Sequence, residues 1–284
     1  MKLASYIVRG RVSYGAVVGE GVVDLRLRLS ARFPTVVDLL REGGLRDALA
    51  ASADVRPDFP LTELQLLPPL HAPEKILCIG VNYANRSAEV GGGETAKFPS
   101  MFYRAPNSLV AHGGKLVRPK VSEQLDYEGE IAIVIGRECR HVAKEHALDV
   151  IAGCMLCNEG SVRDWMRHGR FNVTQGKNFD ASGSIGPWLT TVDELDLTKP
   201  MHLTVKLNGQ IMQDDTTESM IFSFADLIAY VTTFMTLKPA DIIATGTPIK
   251  LDKSETPRWL KPGDVLEISS PQLGTLRNNV VAEA

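Results

Sequence analysis

The chain has 284 residues, 44% of them hydrophobic, enough to bury a core in one large domain or in a large domain joined to a small one. Its net charge of −3 excludes a basic field that would condense on nucleic acid or anionic lipid, so an anionic substrate must be held by a metal ion or a few placed cations. No apolar run approaches membrane-spanning length, and Met1-Lys2-Leu3 leads straight into a strand-like pattern without a secretion-signal layout, so a soluble cytoplasmic protein is expected.

Alternating apolar residues predict short strands at Leu3–Val8, Val12–Val18 and Gly21–Asp24. Thr35 caps a predicted helix over Val36–Arg41, stopped by Gly43-Gly44, and a second helix is expected after it. Pro57, Pro60, Pro68, Pro69 and Pro73 then break the chain, placing a boundary near residue 70 between a small N-terminal α+β domain and a larger domain over 71–284. Strands are predicted at Ile76–Ile79, Met101–Tyr103, Glu130–Ile135, Ile151–Cys157, Ile185–Leu189 and Leu203–Leu207. Asn208-Gly209 signals a type I′ hairpin. Ser223 caps a helix carrying Phe224, Leu227, Ile228, Val231 and Phe234 on one face, and strands Ile242–Ala244 and Val265–Ile268 are expected to close the chain. Strands outnumber helices without regular alternation, which is an α+β pattern. Cys154 and Cys157 have the spacing of a redox or zinc motif, but no second ligand pair follows, and the apolar run around them fits a buried strand better.

Asp126-Tyr127-Glu128-Gly129-Glu130 opens the most apolar strand of the chain. Residues two apart on a strand share a face, so Glu128 and Glu130 point the same way and repel unless a cation or protons lie between them. Taken alone, Glu-x-Glu would more often be two solvated carboxylates on an edge strand. Glu159, directly after the strand Ile151–Cys157, adds a third carboxylate at a strand end. Three carboxylates with water form an all-oxygen shell suited to Mg²⁺ or Mn²⁺. Lys177 could set a cation beside them, although a lone Gly-Lys is weak evidence.

In this order the landmarks resemble the fumarylacetoacetate hydrolase family from about Ile76 onward. They are Gly80-Val81-Asn82-Tyr83, Asp126-Tyr127-Glu128-Gly129-Glu130, Asn158-Glu159-Gly160-Ser161-Val162-Arg163-Asp164 and Gly176-Lys177-Asn178-Phe179-Asp180. Gly186-Pro187-Trp188, Asn208-Gly209, Thr245-Gly246-Thr247-Pro248 and Lys261-Pro262-Gly263-Asp264 complete them. The resemblance implies metal ligands at Glu128, Glu130 and Glu159, the last a longer variant of the family's usual Asp. It also implies a charge-stabilising lysine at Lys177 and a substrate-lining threonine at Thr247. The implied fold is a mixed β-sandwich roll preceded by a small N-terminal domain, usually a homodimer. The implied substrates are small 2-oxo or 2,4-dioxo acids of aromatic-compound catabolism.

One segment departs from the family pattern. Where many members read Gly-x-Asn-Tyr-x-Asp-His-x-x-Glu, this chain keeps Glu89 but has Asn85 for the aspartate and Arg86 for the water-activating histidine. Arginine stays protonated and cannot act as a base, but it can clamp a carboxylate. Gly91-Gly92-Gly93 suggests a lid. His168, and less so His112, are candidates to replace the lost base; Arg104, Tyr103 and Asp180 are candidates for substrate contact. Arg163 and Asp164 are expected to pair beneath the site. Family frequency favours hydrolysis of the C–C bond in an acylpyruvate, whereas Arg86 favours an isomerase, tautomerase or decarboxylase of a 2-oxo dicarboxylic acid. An idle binding protein on the same fold is the third reading, opposed by three adjacent carboxylates.

Overall fold

A computed structural model of the chain describes residues 1–89, 96–169, 172–252 and 257–284, with residues 87–89 described by backbone alone. Its spine is the strand Gly129–Ile135, buried along its whole length. The two-residue period sends Ile131, Ile133 and Ile135 into one core and Ala132 and Val134 into another, so both faces of the strand need a cover. The spine pairs antiparallel with Ile151–Asn158 on one side and with Ile242–Ala244 on the other. Among the described residues these belong to a mixed sheet of twelve strands, with parallel pairing between Ile242–Ala244 and Ile76–Ile79 and between Gly183–Thr191 and Leu109–Val110.

One face of this sheet is covered by a five-stranded sheet formed from Lys115–Arg118, His202–Leu207, Gln210–Thr216, Val265–Ser270 and Gly274–Ala282. Val205, Ile268 and Leu276 meet Ile131, Ile133 and Leu156 in the shared core, which the helix Phe224–Phe234 joins through Leu227, Ile228 and Val231. On the other face the helix Val36–Arg41 packs Val36, Val37, Leu39 and Leu40 into the core that holds Ala132, Val134 and Met155. The fold is α+β, with two packed sheets. The N-terminal strand Lys2–Val8 pairs with Gly183–Thr191, so the large sheet runs across the boundary expected near residue 70, and the second core draws residues from both sides of it.

Local signals act where the sequence places them. Thr35 Oγ1 accepts from the Asp38 N–H, Ser223 and Asp226 form a capping box, and Asn208 and Gly209 take φ of 51° and 81° in the hairpin. Two expectations change, and the buried-strand reading of Cys154 and Cys157 holds. The chain does not close at Val265–Ile268, because Gly274–Ala282 follows as a full strand. Its polar Asn278 is buried and donates to the carbonyls of Ala111 and Gly114, replacing an apolar residue in the alternation. Ser161–Val162 pairs with Leu125–Asp126, and a 3₁₀ turn over Arg163–Trp165 follows. Phe234 lies on the last helical turn, 48% exposed, with its ring edge-on to Tyr230. Cys154 and Cys157, an odd number of residues apart, fall on opposite faces of one strand in different cores, which rules out a pair.

Gly129 packs directly against Val205 of the small sheet. A Cβ there would lie 2.2 Å from Val205 Cγ2, so a side chain between the two glutamates would push the small sheet off the large one. Gly129→Ala should lower stability by about 1–3 kcal/mol in denaturant melts, and Val205→Ala in the same chain should recover part of that loss. Equal stability of Gly129→Ala and the parent would contradict this packing.

Candidate active site

The pairing of the strands Gly129–Ile135 and Ile151–Asn158 continues one step past their ends. The Glu128 N–H donates to Asn158 Oδ1 at 3.0 Å, and the Glu128 carbonyl accepts from the Glu159 N–H at 2.8 Å. Two residues far apart in sequence are thereby fixed opposite each other, with Glu130 beside them on the first turn of the pleat. All three side chains are buried, and one ligand oxygen of each lies within 4.8 Å of the others.

Cations are threaded through this cluster. Lys177, on the short helix Thr174–Lys177, is itself buried and bridges Glu128 Oε2 at 2.5 Å and Glu159 Oε2. Arg163 donates from Nε to Asp126 Oδ2 at 2.7 Å and from Nη2 to Glu128 Oε1. Ser161 Oγ donates to Glu128 Oε2 at 3.0 Å. Glu130 Oε2 accepts from the Gly246 N–H at 2.9 Å. Gly246 adopts φ of +103°, and a Cβ on it would meet Asn82 Cβ at 2.7 Å, so the loop Thr245–Pro248 needs glycine at this point.

The carboxyls are unequal. Burial pushes Glu128 upward, but Arg163 and Lys177 outweigh it and hold the group well below the usual carboxylate range. For Glu130, burial and then the charges of Glu159 and Glu128 act together and drive it well above that range. Burial lifts Glu159 to about 7 against the pull of Lys177 and Arg104. Burial depresses the Lys177 ammonium, yet Glu128 and Glu159 more than compensate, so it remains protonated. Three carboxylates this close cannot all ionise without cationic charge between them.

Above the cluster opens a cavity of about 410 Å³ whose walls include Arg86, Phe102, Met166, Val173 and Thr247. Glu128, Glu130, Glu159, Lys177, Arg86 and Thr247 therefore meet as expected. Thr247 Oγ1 is held by Gln213 Nε2 at 2.9 Å. Four expected substrate or base residues lie elsewhere. Arg104 is behind the site: it is buried and turned onto Glu159 Oε1 at 2.7 Å, the Gly160 carbonyl, Ser108 and Ser182 Oγ, so it cannot reach a substrate. Tyr103 takes the opposite face of its strand from Phe102 and is 51% exposed, with its hydroxyl on Met235 Sδ. Asp180 is exposed and accepts from Asn107. His168 is exposed and stacks on Trp165 with ring centroids 4.0 Å apart, away from the cavity wall.

His112 Nδ1 accepts the Arg277 N–H at 3.2 Å, a structural duty. The Glu89 side chain and Gly91-Gly92-Gly93 lie outside the described residues. Arg163 does not pair with Asp164, which instead accepts from Ser122 Oγ at 2.6 Å; it lines the cavity. The two-residue period Glu159, Ser161, Arg163 carried that signal. Nothing in the sequence marked Gln213, which links Thr247 to the Gly129 N–H.

The family model described as the C-terminal domain of fumarylacetoacetate (FAA) hydrolase matches residues 75–281. This chain belongs to the fumarylacetoacetate hydrolase family. It is 33% identical over 282 residues to oxaloacetate tautomerase Fahd2a, mitochondrial, of Rattus norvegicus, covering 98% of this chain and 90% of that protein. Among solved structures, maleylpyruvate hydrolase from Sphingobium sp. SYK-6 in complex with manganese(II) and pyruvate superposes with a TM-score of 0.83, at 27% identity and full coverage of both chains. A 5-carboxymethyl-2-hydroxymuconate delta-isomerase from Mycobacterium smegmatis gives 0.77 at 26% identity, again with full coverage of both. Hydrolases, isomerases and tautomerases thus share this fold. The three buried carboxylates of this chain form an all-oxygen donor set that fits a hard divalent cation.

The uneven charge pairing makes a prediction for metal-free protein. Glu130 has two carboxylate neighbours and a backbone donor, so Glu130→Gln should leave the melting temperature unchanged or raised. Glu128→Gln removes one of the two carboxylate partners of both Arg163 and Lys177 and should cost about 3 kcal/mol. Both variants should lose the thermal shift that Mn²⁺ gives the parent. A retained Mn²⁺ shift in either would remove that residue from the ligand set.

Proposed function

We propose that this family member is a metal-dependent enzyme that enolises a short 2-oxo dicarboxylic acid, a keto–enol tautomerase of the oxaloacetate type. The observation that carries this reading is Arg86 on the cavity wall, a position where water activation would need a base and where a guanidinium instead suits a second carboxylate. The likeness to an oxaloacetate tautomerase over nearly the whole chain supports it. Hydrolysis of an acylpyruvate, favoured by the likeness to maleylpyruvate hydrolase, is the second reading.

Glu128, Glu130 and Glu159 would hold Mg²⁺ or Mn²⁺, which when bound polarises the 2-oxo carbonyl as a Lewis acid. Lys177 Nζ, kept protonated by Glu128 and Glu159, gives a proton to the third carbon of the enol and takes up the proton that leaves the enol oxygen, so it ends the turnover protonated as it began. Arg86 grips the distal carboxylate and fixes which carbon faces Lys177. Phe102, whose ring centroid lies 5.0 Å from Lys177 Nζ, combines with Met101, Met166 and Val173 to keep water from the enolate, so hydrolysis and loss of the intermediate are suppressed.

The test follows the ultraviolet decay of enol-oxaloacetate and, separately, pyruvate release from acylpyruvates. Tautomerisation well above the buffer rate with slow pyruvate release is expected; efficient acylpyruvate cleavage by the parent would favour the hydrolase instead. Lys177→Met should lower kcat by a factor on the order of 10². Arg86→Lys should raise KM several-fold with little change in kcat, because lysine lacks the planar paired donors. An unchanged KM in Arg86→Ala would contradict the carboxylate grip.

A further inference from the structure

Each carboxylate of the cluster has one oxygen held by a donor other than Lys177. Glu128 Oε1 accepts from Arg163 Nη2, Glu130 Oε2 from the Gly246 N–H, and Glu159 Oε1 from Arg104 Nη1. Of the three donors, Arg104 is the most firmly built. It is 3% exposed, and all five of its N–H groups have acceptors: Nε on Ser108 Oγ at 3.0 Å, Nη1 on Glu159 Oε1 and the Gly160 carbonyl, and Nη2 on the Ser108 carbonyl and Ser182 Oγ. A guanidinium held at every donor cannot swing aside, so the Glu159 carboxylate cannot rotate to offer both oxygens inward. The inward oxygens, Glu128 Oε2 and Glu159 Oε2, both lie on Lys177, the internal cation whose place a divalent ion would share.

We propose that Arg104 is a positioning residue that restricts Glu159 to a single inward oxygen and thereby makes the site select a six-coordinate ion such as Mg²⁺ or Mn²⁺ over Ca²⁺. Ca²⁺ takes six to eight oxygens and readily uses bidentate carboxylates, whereas Mg²⁺ holds a compact octahedron. Three carboxylates giving one oxygen each fill three of six positions. Two of the others suit the carboxylate and 2-oxo oxygens of a chelating substrate, and one suits water. The longer Glu at position 159 is the side chain able to reach both the inward position and the buried arginine behind it. The inference rests on the metal reading of the site and is independent of which 2-oxo acid is turned over.

The test uses the full-length, metal-free protein, titrated with Mn²⁺ and with Ca²⁺ by calorimetry. The parent should bind Mn²⁺ more tightly than Ca²⁺. Arg104→Gln, which releases Glu159 Oε1, should narrow the ratio of the two dissociation constants by about tenfold, the scale on which ligand-orienting partners act. Arg104→Lys, which keeps a cation at that oxygen, should return the ratio toward the parent's. A ratio unmoved in folded Arg104→Gln overturns the proposal. A second measurement needs no variant: electron paramagnetic resonance of the parent with Mn²⁺ in ¹⁷O-enriched water. Three bound waters support single-oxygen ligation by all three glutamates; one or two overturn it. A parent that ignores Mn²⁺ altogether sinks the metal reading itself, an outcome distinct from an unchanged ratio.

Discussion

The structure depends on keeping several buried charges alternating in sign. Lys250, Asp126, Arg163, Glu128, Lys177, Glu159 and Arg104 form one continuous chain of ion pairs, each link a direct contact between opposite charges. Glu130 lies beside the middle of this chain, held by the Gly246 N–H and driven well above the usual carboxylate range by burial and by Glu159 and Glu128. Removing an ion from water costs several kcal/mol even after relaxation, so none of these groups would be tolerated at its depth alone. The alternation lets a cluster of three carboxylates exist inside a protein before any metal arrives. Lys177 is its centre, the internal cation shared by Glu128 and Glu159.

Backbone geometry puts the links of that chain in place. The antiparallel register that sets Gly129 against Asn158 also brings Glu128 to Glu159, and Gly129 leaves room for Val205 of the small sheet against it. Gly246, in the loop after the strand Ile242–Ala244, offers its N–H to Glu130 in a conformation that a side chain would strain. The sheets thus fix the carboxylates, and the loops and short helices bring in the cations. The cavity above them inherits a cationic rim from Arg86 and Arg163 and an apolar lining from Phe102 and Met166.

Much of this was legible in the residues. The two-residue period identified the spine strand and set Glu128 beside Glu130, and capping and turn residues marked Val36–Arg41, Phe224–Phe234 and the Asn208-Gly209 hairpin. What failed was direction and depth. Arg104 follows an apolar strand and looks like a substrate clamp, but Ser108, Glu159 and Ser182, up to 78 residues away, converge to bury it behind the site. Tyr103 was misplaced by one residue of strand pleat, Phe102 being the one that faces the cavity. His168 offered the right chemistry in the right interval of sequence, but it stacks on Trp165 instead. Asn278 hid the last strand because its partners are carbonyls of a distant loop, which no local pattern encodes.

The most direct test of the account is a crystal structure of the protein soaked with Mn²⁺ and oxalate, with the ion located by its anomalous signal. One strong peak is expected, bounded by a single oxygen from each of Glu128, Glu130 and Glu159, with oxalate on its open side and Arg104 still paired to Glu159 Oε1. A peak elsewhere, or no peak with Lys177 still bridging Glu128 and Glu159 at saturating Mn²⁺, would contradict it.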